Sequence, residues 1–165
     1  LCKCQRDTLI IFLTASRDHI HDAFKVRAFR YICKPINPAD FHEAFLSAKQ
    51  ELCERVRITV RQDHITCSIL LNDVICFEAY GDGTYIYTTE TVYTSSRPLK
   101  SWLAQIGTYC FFQVHRSYAV SLRHIQSINT NTIIMRGMQQ EIPISRRSRS
   151  GVKEAFLAYI KENAR

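Results

Sequence analysis

The chain has 165 residues and a formal net charge of +7, with 46% hydrophobic and 22% charged residues. That composition excludes a predominantly disordered chain, and the length suits one domain or two small ones. No apolar run approaches the roughly 18 residues of a membrane-spanning helix.

Taken in chain order, the first fifty residues alternate strand and helix. Thr8 to Leu13 is a continuous β-branched and apolar run, which predicts a strand buried on both faces. Ser16 or Asp18 can cap a helix with Ile20, Ala23 and Phe24 as its apolar stripe. Tyr31 to Cys33 reads as a second strand, ended by Lys34-Pro35. Asn37-Pro38-Ala39-Asp40 then starts a helix: a capping side chain, proline in the first turn and an acid behind it. Phe41, Ala44, Phe45, Ala48 and Leu52 recur at helical spacing along one face. Such an alternation predicts parallel strands with crossover helices.

The period changes to two after a boundary in the charged stretch Glu51 to Arg57. Strands are expected at 58–60, 65–69, 74–77, 85–88, 92–94, 111–114, 118–120, 125–128, 132–135 and 141–144, separated by turn signals such as Asn72-Asp73, Asp82-Gly83 and Arg136-Gly137. One helix interrupts them at Pro98–Ile106, with Leu99, Trp102, Leu103 and Ile106 facing inward. Another closes the chain from about Gly151 to Asn163, burying Val152, Phe156 and Tyr159 or Ile160, with Ser148 or Ser150 as its cap. The pattern predicts a mostly antiparallel β domain with short helices.

The seven cysteines are scattered and form no CxxC pair, so zinc-ligand spacing is absent, and most read as buried reduced thiols. No paired carboxylates, glycine-rich phosphate loop or metal motif stands out, so we expect neither an enzyme nor a cofactor. The charge is uneven. Residues 97–149 hold eight basic side chains (Arg97, Lys100, Arg116, Arg123, Arg136, Arg146, Arg147, Arg149) against the single acid Glu141. Arginine matches phosphate and the guanine edge with a planar fork, and a local basic excess is the footprint of a polyanion binder. A solvated basic face is the plain alternative.

Leu13-Thr14-Ala15, Ala23-Phe24 and Ala28-Phe29-Arg30-Tyr31-Ile32-Cys33-Lys34-Pro35 resemble the second half of a response-regulator receiver domain. The resemblance implies a flavodoxin-like α/β remnant over residues 1–54, with its first three strands missing. Thr14 and Lys34 would stand where the family contacts a phosphoryl group, and Tyr31 at the aromatic switch position. It also implies a cis Lys34-Pro35 bond. Asp7 opens a strand rather than ending one, so no phosphoacceptor aspartate is found. Without it, Thr14 and Lys34 read as a strand-end hydroxyl and a solvated ammonium rather than as phosphoryl contacts. Because the chain begins at Leu1 rather than Met, we expect a fragment of a longer regulator. The face spanning residues 18–52 resembles the one receivers use to dimerise.

A second resemblance spans residues 57–165. Val74-Ile75-Cys76-Phe77-Glu78-Ala79, then Phe112-Gln113-Val114-His115-Arg116-Ser117-Tyr118-Ala119-Val120, then Ile142-Pro143-Ile144-Ser145-Arg146-Arg147 are similar to the motifs of a LytTR-type DNA-binding domain. The resemblance implies a bacterial, cytoplasmic, two-component transcription regulator that binds double-stranded promoter DNA at direct repeats. Its partner would be a sensor histidine kinase.

Three segments would touch DNA: the hairpin loop Tyr80 to Tyr85, His115 to Ser117, and Ser145 to Arg149. Arg116 and Arg146 are assigned to base edges, with Thr84 and His115 as further base contacts. Ser117, Ser145, Arg147, Ser148 and Arg149 are assigned to the backbone. His115 reads equally as a structural hydrogen-bonder, Arg123 as a solvated side chain and Glu78 as structural. The alternating Tyr80, Tyr85, Tyr87 and Tyr93 leave two alternatives: a single-stranded nucleic-acid binder that stacks bases on these rings, or a protein-interaction module using an exposed receiver edge.

Overall fold

A computed structural model describes residues 8–15, 28–62, 65–107 and 111–163. The helix expected between Ser16 and Phe24 lies outside them, as do Asp7, His64 and Cys110. The chain divides into two units between Val56 and Arg57.

In the first unit, β1 (Ile11–Thr14) pairs in parallel with β2 (Arg30–Cys33), Thr14 opposite Cys33. The Lys34 N–H donates to the Thr14 carbonyl at 2.7 Å, so the two strand ends meet, and the Lys34-Pro35 peptide is cis. Helix α1 (Pro38–Arg55) begins as the sequence predicts: the Asn37 side chain accepts from the Ala39 N–H at 3.0 Å. The predicted apolar face is only half used. Ala44 and Ala48 are buried, whereas Phe41 and Phe45 are 41% and 54% exposed. Leu13 is also exposed, so β1 is not covered on both faces as its composition suggests. Among the described residues β1 has one neighbouring strand, β2, which explains the shortfall.

The second unit is built of antiparallel strands. A hairpin pairs β3 (Arg57–Gln62) with β4 (Ile65–Leu70). The central sheet has the order β7-β6-β5-β9-β8, from β5 (Val74–Tyr80), β6 (Gly83–Thr88), β7 (Val92–Ser95), β8 (Phe111–His115) and β9 (Tyr118–Ser121). A small sheet follows, β10 (Ile125–Ile128), β11 (Thr132–Met135) and β12 (Ile142–Pro143). Short 3-10 turns join Leu71–Asp73, Leu122–His124 and Arg146–Ser148 to the next elements.

Strand β5 shows why its first four residues are all apolar. Val74, Ile75, Cys76 and Phe77 are buried because this central strand is covered on both sides. On one face Phe77 stacks on Trp102 of α2 (Leu99–Ile106) at 5.8 Å and meets Phe111 edge-on at 5.2 Å. On the other, Cys76 and Val120 join a core with Val114, Ile133, Met135, Ile142 and Val152. Val152 comes from α3 (Arg149–Asn163), which starts two residues earlier than expected. A Cβ on Gly151 would stand 3.0 Å from the Phe112 ring, so this glycine lets α3 lie close on β8. Ile160 is 44% exposed, so the inward face of α3 ends near Tyr159. No helix of the described residues is long and apolar enough to cross a membrane.

Candidate nucleic-acid interface

The turn between β8 and β9 carries Arg116 and Ser117 and is held from three sides. The Ser117 N–H donates to His115 Nδ1 at 3.2 Å. The Ser117 carbonyl accepts from the Ala79 N–H of β5 at 2.7 Å. Just behind the turn, the Val114 carbonyl accepts from the Ser145 N–H at 2.8 Å. Two of the predicted segments, His115 to Ser117 and Ser145 to Arg149, are therefore neighbours, although some thirty residues separate them in the chain. The third reaches the same edge through Ala79, which directly precedes the hairpin loop.

Serine chemistry fixes the second segment. Ser148 Oγ donates to the Gln113 carbonyl at 3.3 Å, so its single proton is committed. In the 2.9 Å contact between the Ser145 and Ser148 hydroxyls, Ser145 is then the donor. The Ser148 N–H closes the turn on the Ser145 carbonyl at 3.0 Å. Ser148, which directly precedes α3, thus tethers the 3-10 turn to β8. Arg146 and Arg147 extend from this tethered turn, and both are exposed, as is Arg116.

His115 is half-buried, and its Nδ1 acts as acceptor for Ser117. A neutral imidazole used this way carries its proton on Nε2, which leaves a donor for an outside acceptor. Thr84 leaves the contact set. It is fully buried, and its hydroxyl donates to the Arg97 carbonyl at 2.7 Å. The alternation of β6 explains this: Thr84 and Ile86 share the covered face, while Tyr85 points to the other. Arg149 is half-buried, with its Nε fully covered, so it is less exposed than its neighbours Arg146 and Arg147.

The eight basic residues of the charged stretch do not form one patch. Arg97 lies over the Trp102 ring at 4.2 Å and donates to Gln105 Oε1 at 2.7 Å, which makes it a brace for α2. Arg123 follows the far end of β9, and the Arg136 N–H donates to the neighbouring His124 carbonyl at 2.8 Å. Four of the eight, Arg116, Arg146, Arg147 and Arg149, belong to the two tethered segments.

Periodicity did not reveal the role of Glu78. One carboxylate oxygen accepts from the Tyr87 hydroxyl at 2.6 Å and the other accepts from Tyr118. The clamp joins β6, β5 and β9 directly behind the Arg116 turn. Burial, followed by the hydrogen bond and charge of Glu78, pushes the Tyr118 hydroxyl up to about 12. The same causes raise Tyr87, and burial with the Glu78 charge raises the Cys76 thiol. Tyr80 and Tyr85 stack on each other at 4.0 Å. Four tyrosines on one face are thus engaged in contacts with protein groups. The available signal was period-two alternation, which puts Cys76, Glu78 and Tyr80 on one side of β5. The register across three strands was needed to bring the partners to them.

The sequence profile of the LytTr DNA-binding domain matches residues 65–157. The chain belongs to the LytTR family. This LytTR chain is 28% identical over 165 aligned residues to the transcriptional regulatory protein YpdB of Escherichia coli O6:H1, covering 88% of the chain and 66% of that protein. It is 24% identical over 150 residues to the transcriptional regulatory protein LytR of Staphylococcus aureus strain MW2, covering 76% of the chain and 58% of that protein. The chain therefore spans 66% of the length of YpdB and 58% of that of LytR. A solved LytTr DNA-binding domain from Bacillus cereus superposes with a TM-score of 0.53 at 20% identity, over 62% of this chain and 97% of that one. The mostly antiparallel β fold is thus that of a LytTR domain, and the family is one of DNA-binding transcriptional regulators.

Proposed function

We propose that residues 57–165 read double-stranded promoter DNA by sequence, with Arg116 and Arg146 on guanine edges and His115 Nε2 as a further base contact. Ser117, Arg147 and Arg149 hold the sugar–phosphate backbone, whereas Ser145 and Ser148, expected there too, have their hydroxyl protons committed within the tethered turn. The observation that carries this reading is the convergence of the two arginine-bearing segments: the Ser145 N–H bonds behind the turn that bears Arg116. Arginines on hydrogen-bonded turns enter a groove with little ordering cost, and each bidentate arginine–guanine pair discriminates by about 1–3 kcal/mol. The exposed tethered arginines carry positive charge to the same edge, as a phosphate-lined partner requires.

The reading extends to the first unit. Residues 1–54 form the C-terminal part of a receiver domain, with Thr14, Tyr31 and Lys34 at its switch positions. The parallel pairing of β1 with β2 and the Lys34–Thr14 backbone contact support it. A sensor histidine kinase and a two-component phosphorelay are the partners this assigns to the full-length regulator. The lack of a phosphoacceptor aspartate within these residues, dimerisation through residues 18–52 and direct-repeat half-sites belong to the same reading.

The test is a duplex-binding series at fixed salt, comparing cognate tandem-repeat DNA with scrambled DNA. Arg116→Ala and Arg146→Ala each lower the preference for cognate DNA by about five-fold to 150-fold. Unchanged discrimination in both variants overturns the assignment.

A further inference from the structure

Beside the tethered segment lies a cavity of about 250 Å³ that shares only Arg149 with the contact set above. Asn129 and Thr130, from the turn between β10 and β11, form one wall. Arg149, Ser150 and Lys153, from the start of α3, form the other, and Ile128 and Ile144 add apolar surface. The walls are tied together: the Ile144 N–H donates to the Asn131 carbonyl at 2.8 Å. The Asn129 N–H and the Thr132 carbonyl close the turn itself at 2.8 Å.

Two features of the cavity point to its occupant. It is lined by two cationic side chains and by no acid, and the first turn of α3 contains no acid either. The hydroxyls of Ser150 and Thr130 and the Asn129 amide supply neutral polar groups around the two cations. A compact, multi-oxygen anion satisfies this set through charge-assisted hydrogen bonds. A cationic ligand meets two like charges.

We propose that this cavity is a phosphate seat in which Arg149 and Lys153 pair with the anion, and Asn129, Thr130 and Ser150 bound it. The phosphate has two sources, a phosphodiester of bound DNA or a free phosphate group. The first rests on the DNA-reading function proposed above and adds a contact from the β10–β11 turn to it. The second is independent of that reading. Lys153 is exposed, so its substitution spares the core.

Two measurements on the 165-residue chain test the seat. The salt dependence of duplex binding is compared between the parent and Lys153→Gln. Inorganic phosphate is also titrated against the free protein at constant ionic strength while backbone amide resonances are followed. If DNA supplies the phosphate, Lys153→Gln lowers the slope of log K against log salt by about one and keeps the preference for cognate sequence. If free phosphate is the ligand, the amides of Asn129, Thr130 and Ser150 shift saturably, and the shift is lost in Lys153→Gln. A slope unchanged in Lys153→Gln, together with no saturable shift, overturns the proposal. The base-reading assignment fails separately: Arg116→Ala would then keep full discrimination, whatever Lys153→Gln does to the slope.

Discussion

Strand β9 has an arginine just beyond each end, and the two ends are furnished differently. Arg116 sits on a turn whose carbonyl and amide groups bond to β5 and to His115, with Arg146 and Arg147 on the adjoining tethered segment. Arg123 lies on a 3-10 turn about 15 Å along the strand direction, with Arg136 beside it through the His124 carbonyl. Both ends are basic and exposed. Both gather segments distant in sequence: at the second end the His124 carbonyl accepts from the Arg136 N–H and its Nε2 meets the Asn72 carbonyl at 2.8 Å. The first end adds serine hydroxyls, which fix the segment bearing Arg146 and Arg147 against β8. Charge alone cannot separate the two ends. The serine tether does, because it brings two arginine-bearing segments to one edge at a set position, as groove reading needs, whereas attraction to phosphate needs only proximity.

The largest expected effect abolishes the comparison altogether. Trp102→Ala removes the side chain that packs on Phe77 beneath the central sheet. It is expected to destabilise the domain by about 3–5 kcal/mol, as measured by urea denaturation, and both ends of β9 lose their geometry together. Second in size is the loss of discrimination in Arg116→Ala and Arg146→Ala, by about 1–3 kcal/mol each. Arg123→Ala and Arg136→Ala in the same binding series keep the cognate preference. Equal losses at both ends would remove the distinction.

A smaller effect concerns the tether. Ser145→Ala deletes a donor to Ser148 and is expected to cost about 1 kcal/mol of stability. Its binding loss should fall on the cognate duplex more than on scrambled DNA. Arg147→Ala is smaller again, a uniform weakening across sequences with a salt slope reduced by about one.

The pH dependence isolates the Glu78 clamp behind the first end. Tyr118 is raised from 10.0 to about 12 by burial and by Glu78. Its folded state thus favours the protonated hydroxyl. The associated stability is complete below the unfolded value near 10 and is lost as pH rises through 12. The urea midpoint of the parent is therefore expected to hold through neutral pH and fall steeply above 10. Tyr118→Phe starts lower and falls less. A parallel fall in both proteins would sink the clamp's contribution.

Much of the fold was legible in the residues. The Asn37-Pro38 start of α1, the apolar run of β5 and the period-two strands are local signals, and each recurs in the structure close to its expected bounds. The failures share one cause. Phe41, Phe45 and Leu13 were expected to be buried from their spacing, but burial depends on what lies opposite, and a helix face does not encode its partner. Thr84 was placed at the DNA from its position in a loop motif. The register of β6 instead turned it inward to the Arg97 carbonyl. Four of the eight basic residues of the charged stretch lie outside the tethered segments for the same reason: sequence proximity does not set the end of a strand at which a side chain emerges.

The sequence by itself determined which elements form and which residue types could meet a polyanion. Capping, alternation and arginine chemistry act within a few residues of the chain. The tertiary structure alone decided that Ser145 reaches Val114, that Ala79 reaches Ser117, that Glu78 clamps two tyrosines and that Arg149 faces Asn129 across a cavity. Those contacts join strands distant in sequence, and the hydrogen-bond register that makes them is settled only when both faces of the central sheet are packed.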